Sequence, residues 1–100
     1  MNYLLFALCL VAFAVNAECV IRDNDNRIKR NASVIRQFKK ANPCPSTNNT
    51  TGKCPGYVVD HIHPLCHCGD DAVYNLQWQT ISDAKAKDRL ERAMCSELKK

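Results

Sequence analysis

Cysteine content is the feature that most restricts how this chain can fold. Seven of its 100 residues are cysteines, and one of them, Cys9, lies in an apolar leader. The other six lie at Cys19, Cys44, Cys54, Cys66, Cys68 and Cys95. The chain is long enough for one small domain, and a domain of this size buries only a modest core. Such domains often need covalent or metal cross-links, and the cysteines are the candidates for them.

The leader, residues 1–17, reads MNYLLFALCLVAFAVNA. It is almost wholly apolar and ends in the small-x-small pattern Val15-Asn16-Ala17, which predicts a secretory signal peptide cleaved before Glu18. The alternative is a membrane anchor, but the apolar run is short for the roughly 20 residues that span a bilayer. We therefore expect an exported protein, periplasmic or extracellular, with no stable membrane insertion after cleavage.

An even number of cysteines behind an export signal favours disulfides formed in an oxidising compartment. The alternative is a structural zinc site, which usually contains paired C-x2-C knuckles. Neither Cys44 with Cys54 nor Cys66 with Cys68 has that spacing. We predict a Cys44–Cys54 disulfide, because it closes a short loop rich in Pro, Asn, Thr and Gly. The pairing of the other four cysteines stays open.

The first half of the mature chain is predicted to contain one helix. Residues 18–30 are polar and are expected to be extended. A helix follows, with Asn31 or Ser33 as its N-cap, and it continues to about Ala41, where Asn42-Pro43 ends it. Residues 43–56 are expected to form a loop.

The second half is predicted to contain two strands and a helix. The strands are Tyr57–Ile62 and Val73–Gln79, from their β-branched and aromatic content. The helix runs from Asp83 to about Leu98 with Ser82 as N-cap, and its predicted inward face consists of Ala84, Leu90, Ala93 and Met94. The chain is thus expected to be a small α+β domain in three segments, 1–17, 18–55 and 56–100.

The sequence DHIHPL places ionisable residues where the first strand ends. Neighbouring strand residues point to opposite faces, so Asp60 and His61 can share one site only if the strand breaks there, and Pro64 favours such a break. A carboxylate beside an imidazole offers a hard oxygen ligand for a divalent cation and a base near neutral pH. Hydrolysis of a phosphodiester uses both.

The segment from Gly56 to about Arg92 resembles the HNH endonucleases of the ββα-metal superfamily. The resemblance is carried by DHIHPL, Gly69-Asp70-Asp71, Asn75-Leu76-Gln77-Trp78 and the helical AKAKD at 84–88. It implies that the predicted N-terminal helix is followed by a ββα-metal motif and that the protein is a metal-dependent nuclease. Export is expected from the leader, and low sequence specificity is expected because so short a domain has no separate recognition module. The implied substrate is DNA, with RNA as the alternative, and the implied cofactor is Mg²⁺, with Mn²⁺ or another divalent ion as the alternative.

The resemblance also implies roles for individual residues. His61 matches the general base, Asp60 a metal ligand, and Asn75 the residue that braces the loop and orients the base. Lys87 matches the family's helix lysine. Together with Lys85 and Arg89 it is expected to contact nucleic acid, which the formal net charge of +4 permits.

One position departs from the family pattern. The family usually has His or Asn as the last metal ligand nine residues after the central Asn, and here that residue is Ala84. We favour Asp88, one helical turn further on, as the replacement ligand. Asp83 is the neighbouring alternative, and coordination by Asp60 and water is the third, since Mg²⁺ tolerates few protein ligands.

Structural interpretations compete with these roles. In them, Asp60 is the partner of a helix lysine and His61 is a hydrogen-bonded structural histidine. On that basis two other functions stay open. One is a secreted disulfide-rich binding or inhibitory protein, and the other is an inactive HNH fold that binds nucleic acid without cutting it.

Overall fold

A computed structural model describes residues 19–97 of the chain. The predicted signal peptide with its cleavage site, and the predicted helix end at Leu98, lie outside this range. The described residues form helix α1 (Ala32–Ala41), strand β1 (Tyr57–His61), strand β2 (Leu76–Thr80) and helix α2 (Ile81–Glu97). Two short 3-10 helices, Leu65–His67 and Val73–Asn75, lie between the strands. The predicted α+β class and element order are confirmed.

Helix α1 has the predicted boundaries because both of its ends are capped by side chains. The Asn31 side chain accepts a hydrogen bond from the Ser33 backbone N–H at 3.0 Å, which is the usual N-cap bond. At the other end, both the backbone N–H and the side-chain amide of Asn42 donate to the Phe38 carbonyl, at 2.8 and 3.1 Å. Phe38 is buried, and its ring lies 5.8 Å from that of Trp78.

Strands β1 and β2 form a two-stranded antiparallel sheet in which Asp60 is opposite Gln77 and His61 is opposite Leu76. The second strand begins later than predicted, because Val73–Asn75 is a 3-10 turn. The Asn75 backbone N–H closes that turn by donating to the Ala72 carbonyl at 2.9 Å. The prediction that the strand begins at Val73 was therefore wrong. The strand that follows still pairs with β1 along its length.

Helix α2 follows β2 without a loop, and it begins two residues earlier than predicted. The Thr80 hydroxyl accepts a hydrogen bond from the Asp83 backbone N–H at 3.2 Å, which is the bond that an N-cap side chain makes. Ser82, the predicted N-cap, lies in the first turn of the helix instead. The cap prediction was wrong because Thr80, which follows the predicted strand Val73–Gln79, supplies the capping oxygen instead of Ser82.

The inward face of α2 carries two charged side chains, and its prediction was right for Ala84 but wrong for Leu90, Ala93 and Met94. Its half-buried side chains belong to residues spaced three or four apart, namely Ala84, Lys87, Glu91 and Cys95. Leu90 and Met94 are instead 70% and 45% exposed. An ion-pair network and a disulfide, described below, occupy the side that apolar packing was expected to fill.

Three disulfides join the elements: Cys19–Cys68, Cys44–Cys54 and Cys66–Cys95, with Cα–Cα separations of 5.4, 5.6 and 5.7 Å. The predicted Cys44–Cys54 pair is confirmed. The cross-links matter because the buried apolar core is small, consisting of Phe38, Cys44, Leu65 and Leu76. Within residues 19–97, no helix is both long and apolar enough to cross a bilayer.

Candidate active site

Asn75 holds the connection between β1 and β2 in shape. Its buried side chain accepts a hydrogen bond from the His63 backbone N–H at 2.9 Å. Its amide group donates to the carbonyls of His63, at 2.9 Å, and Asp70, at 2.7 Å. One carboxamide thus joins both arms of the loop that follows β1. This is the brace that the sequence resemblance implies for Asn75.

Gly69 allows that loop to fold back on itself. A Cβ atom at this position would lie 1.9 Å from the carbonyl oxygen of His63, so any side chain would displace the backbone. The Gly69 backbone N–H donates to the Pro64 carbonyl at 2.9 Å. This close approach returns the next residues of the chain, Asp70 and Asp71, to the end of β1.

The returned segment brings Asp71 against His61. His61 Nε2 lies 2.9 Å from Asp71 Oδ1, and both side chains are largely buried. The other carboxylate oxygen, Oδ2, accepts a hydrogen bond from the Asn31 backbone N–H at 2.6 Å. An ionised carboxylate only accepts, so His61 Nε2 carries the hydrogen and a neutral imidazole keeps its lone pair on Nδ1.

The surroundings of Asp71 favour its ionised form. Burial raises the pKa of the Asp71 carboxyl, but this effect is outweighed by hydrogen bonds from His61 and Asn31 and by the charges of His61 and Arg30. The pKa therefore lies below its usual value. Asp71 is accordingly a carboxylate at neutral pH and can stabilise a positive charge on the imidazole.

Asp60 and Lys87 are paired with each other. Lys87 Nζ lies 2.9 Å from Asp60 Oδ2, and the Gln77 side-chain amide donates to the same oxygen at 3.4 Å. This is the structural interpretation in which Asp60 is the partner of a helix lysine. The carboxylate is thereby fixed at the boundary between the sheet and α2.

Lys87 has no donor left for a substrate. Besides Asp60, its ammonium group binds the carboxylate of Glu91 and donates to the His61 carbonyl at 2.7 Å. Burial lowers the pKa of Lys87, but the bonds to Glu91 and Asp60 outweigh it and the pKa is raised. The nucleic-acid contact of Lys87 stays a prediction, and it would require exchange of one of these partners, because its three N–H groups are satisfied inside the protein.

A hollow of about 380 Å³ lies between the end of β1 and the first turns of α2. We call it the β1–α2 hollow, and the polar residues in its lining are Arg30, Asp60, His61, Lys85, Asp88 and Glu91. Ala84 also lines it, so the position of the missing family ligand faces the site. Asp83 and Arg89 are exposed on the same helix and lie outside this lining.

Asp88 reaches the β1–α2 hollow from the solvent side. Its Oδ2 atom lies 2.8 Å from Arg92 Nε, and the two side chains are 52% and 81% exposed. Such an exposed pair contributes little to stability and exchanges readily with solvent. Asp88 is therefore the more mobile of the two Asp carboxylates that line the hollow, and Asp60 the more fixed.

The donor chemistry of the hollow fits one kind of metal site. Among residues 19–97, no three His, Cys, Asp or Glu side chains are grouped so as to hold an ion. This does not fit a closed zinc site, which has four protein ligands. It does fit Mg²⁺, which is commonly held by one or two carboxylates together with water and substrate phosphate oxygens. Asp60 and Asp88 are the two Asp carboxylates in the lining that would supply such ligands.

Two residues of the site were missed in the sequence. Asp71 belongs to the Gly69-Asp70-Asp71 motif, but nothing local indicates which of the two Asp side chains meets His61. Arg30 immediately precedes the N-cap of α1 and is more than 25 residues from the DHIHPL motif. Its polar segment, residues 18–30, gives only a weak indication of a functional residue. Only the fold brings Arg30 to the hollow.

No family model, curated protein or solved structure matches this chain. The resemblance to HNH endonucleases therefore stays a prediction that rests on the sequence motifs quoted above.

Proposed function

We propose that the protein is an exported, HNH-type endonuclease of low sequence specificity that hydrolyses phosphodiester bonds of DNA. The observation that supports this best is the His61–Asp71 pair, 2.9 Å apart, at the end of β1 beside a hollow that contains carboxylates. A structural histidine needs no ionised partner, whereas a base that must accept a proton from water benefits from one.

In the proposed reaction His61 is the general base. The Asp71 carboxylate holds the Nε2 hydrogen, so the Nδ1 lone pair accepts a proton from a water molecule as that water attacks the phosphorus. The P–O bond to the leaving oxygen then breaks, and the leaving oxygen takes a proton from solvent. Asp71 stabilises the imidazolium that forms, in the way that a buried carboxylate does in other His-based sites.

A divalent cation is part of the proposal. Asp60 and Asp88 would hold it, with Mg²⁺ as the expected ion. When bound, it supplies positive charge that offsets the negative charge of the phosphate and the leaving oxygen. The Asp60 carboxylate is already paired with the Lys87 ammonium, which would compete with the cation. We therefore expect weak cation binding in the absence of nucleic acid.

The test is incubation of supercoiled plasmid with the oxidised mature protein, first with Mg²⁺ or Mn²⁺ and then with EDTA. Nicked and linear products are expected with the metal and not with EDTA. His61→Ala should slow cleavage on the order of a hundredfold or more. His67→Ala is the matched control, because its ring lies edge-on to that of His63 and outside the lining of the β1–α2 hollow.

A second function is favoured by one specific observation, the occupation of Asp60 by Lys87. This pairing is what a purely structural role for Asp60 produces, and it suits a secreted, disulfide-rich binding or inhibitory protein. Binding of duplex DNA without cleavage in either metal would identify an inactive HNH fold instead. Neither binding nor cleavage would favour the binding protein with another target.

A further inference from the structure

The N-terminal arm, residues 19–31, is fastened to the candidate site at both ends. At its start, Cys19 is joined to Cys68 by a disulfide. At its end, the Asn31 backbone N–H donates to Asp71 Oδ2 at 2.6 Å. Both attachments are made to the short segment 68–71, which also carries the carboxylate of the His61–Asp71 pair. The arm is thus a fixed wall of the site.

Between these attachments the arm is a hydrogen-bonded turn. The Asp23 backbone N–H donates to the Arg27 carbonyl at 2.8 Å, and the Lys29 backbone N–H donates to the Ile21 carbonyl at 2.8 Å. The Asp23 carboxylate also accepts a hydrogen bond from the Arg27 backbone N–H at 3.0 Å. These bonds fix the backbone conformation of the arm. They therefore also fix the backbone position from which the Arg30 side chain extends.

Arg30 lines the β1–α2 hollow together with Asp60, His61 and Asp88. Within the part of the chain that the structure describes, no carboxylate forms an ion pair with its guanidinium and no hydrogen bond engages it. Of the other cations near these carboxylates, Lys87 is paired with Asp60 and Arg92 with Asp88, whereas Lys85 lines the hollow as an exposed ammonium. The Arg30 side chain is therefore the guanidinium at the hollow that stays available to a ligand.

The charged side chains that line the hollow limit which ligands can bind there. Its lining carries the carboxylates of Asp60, Asp88 and Glu91, which repel a phosphate. The Arg30 guanidinium in the same lining offsets this repulsion, and its planar fork can donate two parallel hydrogen bonds to two oxygens of one phosphate. We propose that Arg30 binds the phosphate of the phosphodiester that the His61–Asp71 pair is placed to cleave.

This inference rests on the proposed function for the nature of the phosphate, and its experiment separates the two. Binding of a short duplex oligonucleotide is measured in EDTA over a series of salt concentrations. Cleavage of the same duplex is measured with Mg²⁺ under single-turnover conditions. The variants are Arg30→Gln, Arg30→Lys and, as matched control, Arg27→Gln, which removes the same charge from the same arm at a residue outside the lining.

Loss of one phosphate contact should lower the slope of log K against log[salt] by about 0.9 in Arg30→Gln. Arg27→Gln should leave the slope close to that of the wild type. Arg30→Lys should keep the slope, because the charge is retained. Its cleavage should still be slower, because an ammonium lacks the bidentate fork. Arg30→Gln should slow cleavage on the order of tenfold or more.

Equal effects of Arg30→Gln and Arg27→Gln would overturn the inference, since the arm would then act as a diffuse basic surface. If the wild type cleaves the duplex and Arg30→Gln has the same cleavage rate and the same salt slope, the inference about Arg30 is overturned. The nuclease proposal is then unaffected. Absence of cleavage with a lowered salt slope in Arg30→Gln would retain Arg30 as a phosphate ligand and reject the nuclease. Absence of both binding and cleavage would reject both proposals.

Discussion

Asp60 and Lys87 form an ion pair across the boundary between β1 and α2, with 2.9 Å between Oδ2 and Nζ. Glu91, one turn along the helix, binds the same ammonium group. These three side chains are only 16–23% exposed. The charged network therefore occupies space that apolar side chains would fill in a larger domain. Removal of the cation would leave two largely buried carboxylates without their cationic partner.

We therefore expect Lys87→Met to destabilise the fold by about 1–3 kcal/mol, although Met has a similar length and is apolar. The measurement is urea-induced unfolding of the oxidised protein at neutral pH. Lys85→Met is the control, because Lys85 is exposed on the same helix. It should change stability by less than about 0.5 kcal/mol. Equal stability of Lys87→Met and wild type would show that the network is not a stabilising element.

A second prediction concerns the orientation of His61. Asp71→Asn keeps the size of the side chain but removes the charge that stabilises the imidazolium. We expect plasmid cleavage to slow on the order of a hundredfold. Asp70→Asn is the matched control, because the Asp70 carboxylate accepts a hydrogen bond from the Tyr74 hydroxyl and not from His61. A similar loss in both variants would assign the effect to the loop as a whole.

The same carboxylate predicts how stability changes in acid. The pKa of Asp71 is lower in the folded protein, so its ionised form stabilises the fold fully at pH values above the unfolded pKa of about 3.9. This contribution is lost as the pH falls through the lower, folded pKa. Unfolding free energies measured from pH 7 down to about pH 2 should therefore fall more steeply for the wild type than for Asp71→Asn. Parallel curves would contradict the prediction.

The limits of the sequence predictions can be traced to particular residues. Helix α1 and the Cys44–Cys54 disulfide were predictable because their signals are local: an Asn cap, an Asn-Pro end and a short closed loop. The inward face of α2 was not predictable from apolar periodicity, since Lys87 is half-buried by a partner 27 residues earlier in the sequence, Asp60.

The His61–Asp71 pair was not predictable from the sequence, for a related reason. It depends on the close approach of Gly69 to the His63 carbonyl, which is a contact between two parts of a loop. A sequence pattern records residue types and spacing, but it does not say which of two adjacent carboxylates the folded loop turns inward. The motif could therefore indicate His61 and Asn75 as candidates, but not Asp71, the carboxylate that pairs with His61.

The disulfides are expected to decide whether the domain folds at all. Non-reducing mass spectrometry should find the mature protein lighter by about 2 Da per bridge than its reduced form. Each bridge should contribute roughly 2–4 kcal/mol, which together is comparable to the whole stability of a small domain. Reduction should therefore abolish the cooperative unfolding transition. Free thiols in correctly exported protein would contradict this.

The paired variant Cys19→Ser with Cys68→Ser tests a narrower point. It frees the start of the N-terminal arm but leaves the bridges at Cys44–Cys54 and Cys66–Cys95 intact. The sheet and α2 should stay folded, as judged by a retained cooperative transition. Loss of that transition would show that the arm is part of the folding core.

The final prediction concerns Ala84, where the resemblance to HNH endonucleases fails. Asp88 lines the β1–α2 hollow with Ala84, whereas Asp83 is exposed outside the lining. If Asp88 helps to hold the cation, Asp88→Asn should raise the Mg²⁺ concentration needed for half-maximal cleavage severalfold, because a neutral amide attracts a hard cation less than a carboxylate does. Asp83→Asn should leave that concentration unchanged.

Ala84→His should lower the required Mg²⁺ or Mn²⁺ concentration, since it introduces an imidazole at a position that faces the hollow. Arg92→Gln is the control for the Asp88–Arg92 ion pair, because it frees Asp88 without removing it. It should lower the metal requirement or leave it unchanged. A raised requirement in Arg92→Gln would mean that Asp88 acts by holding Arg92 rather than the ion. No change in any of the four variants would leave Asp60 and water as the ligands.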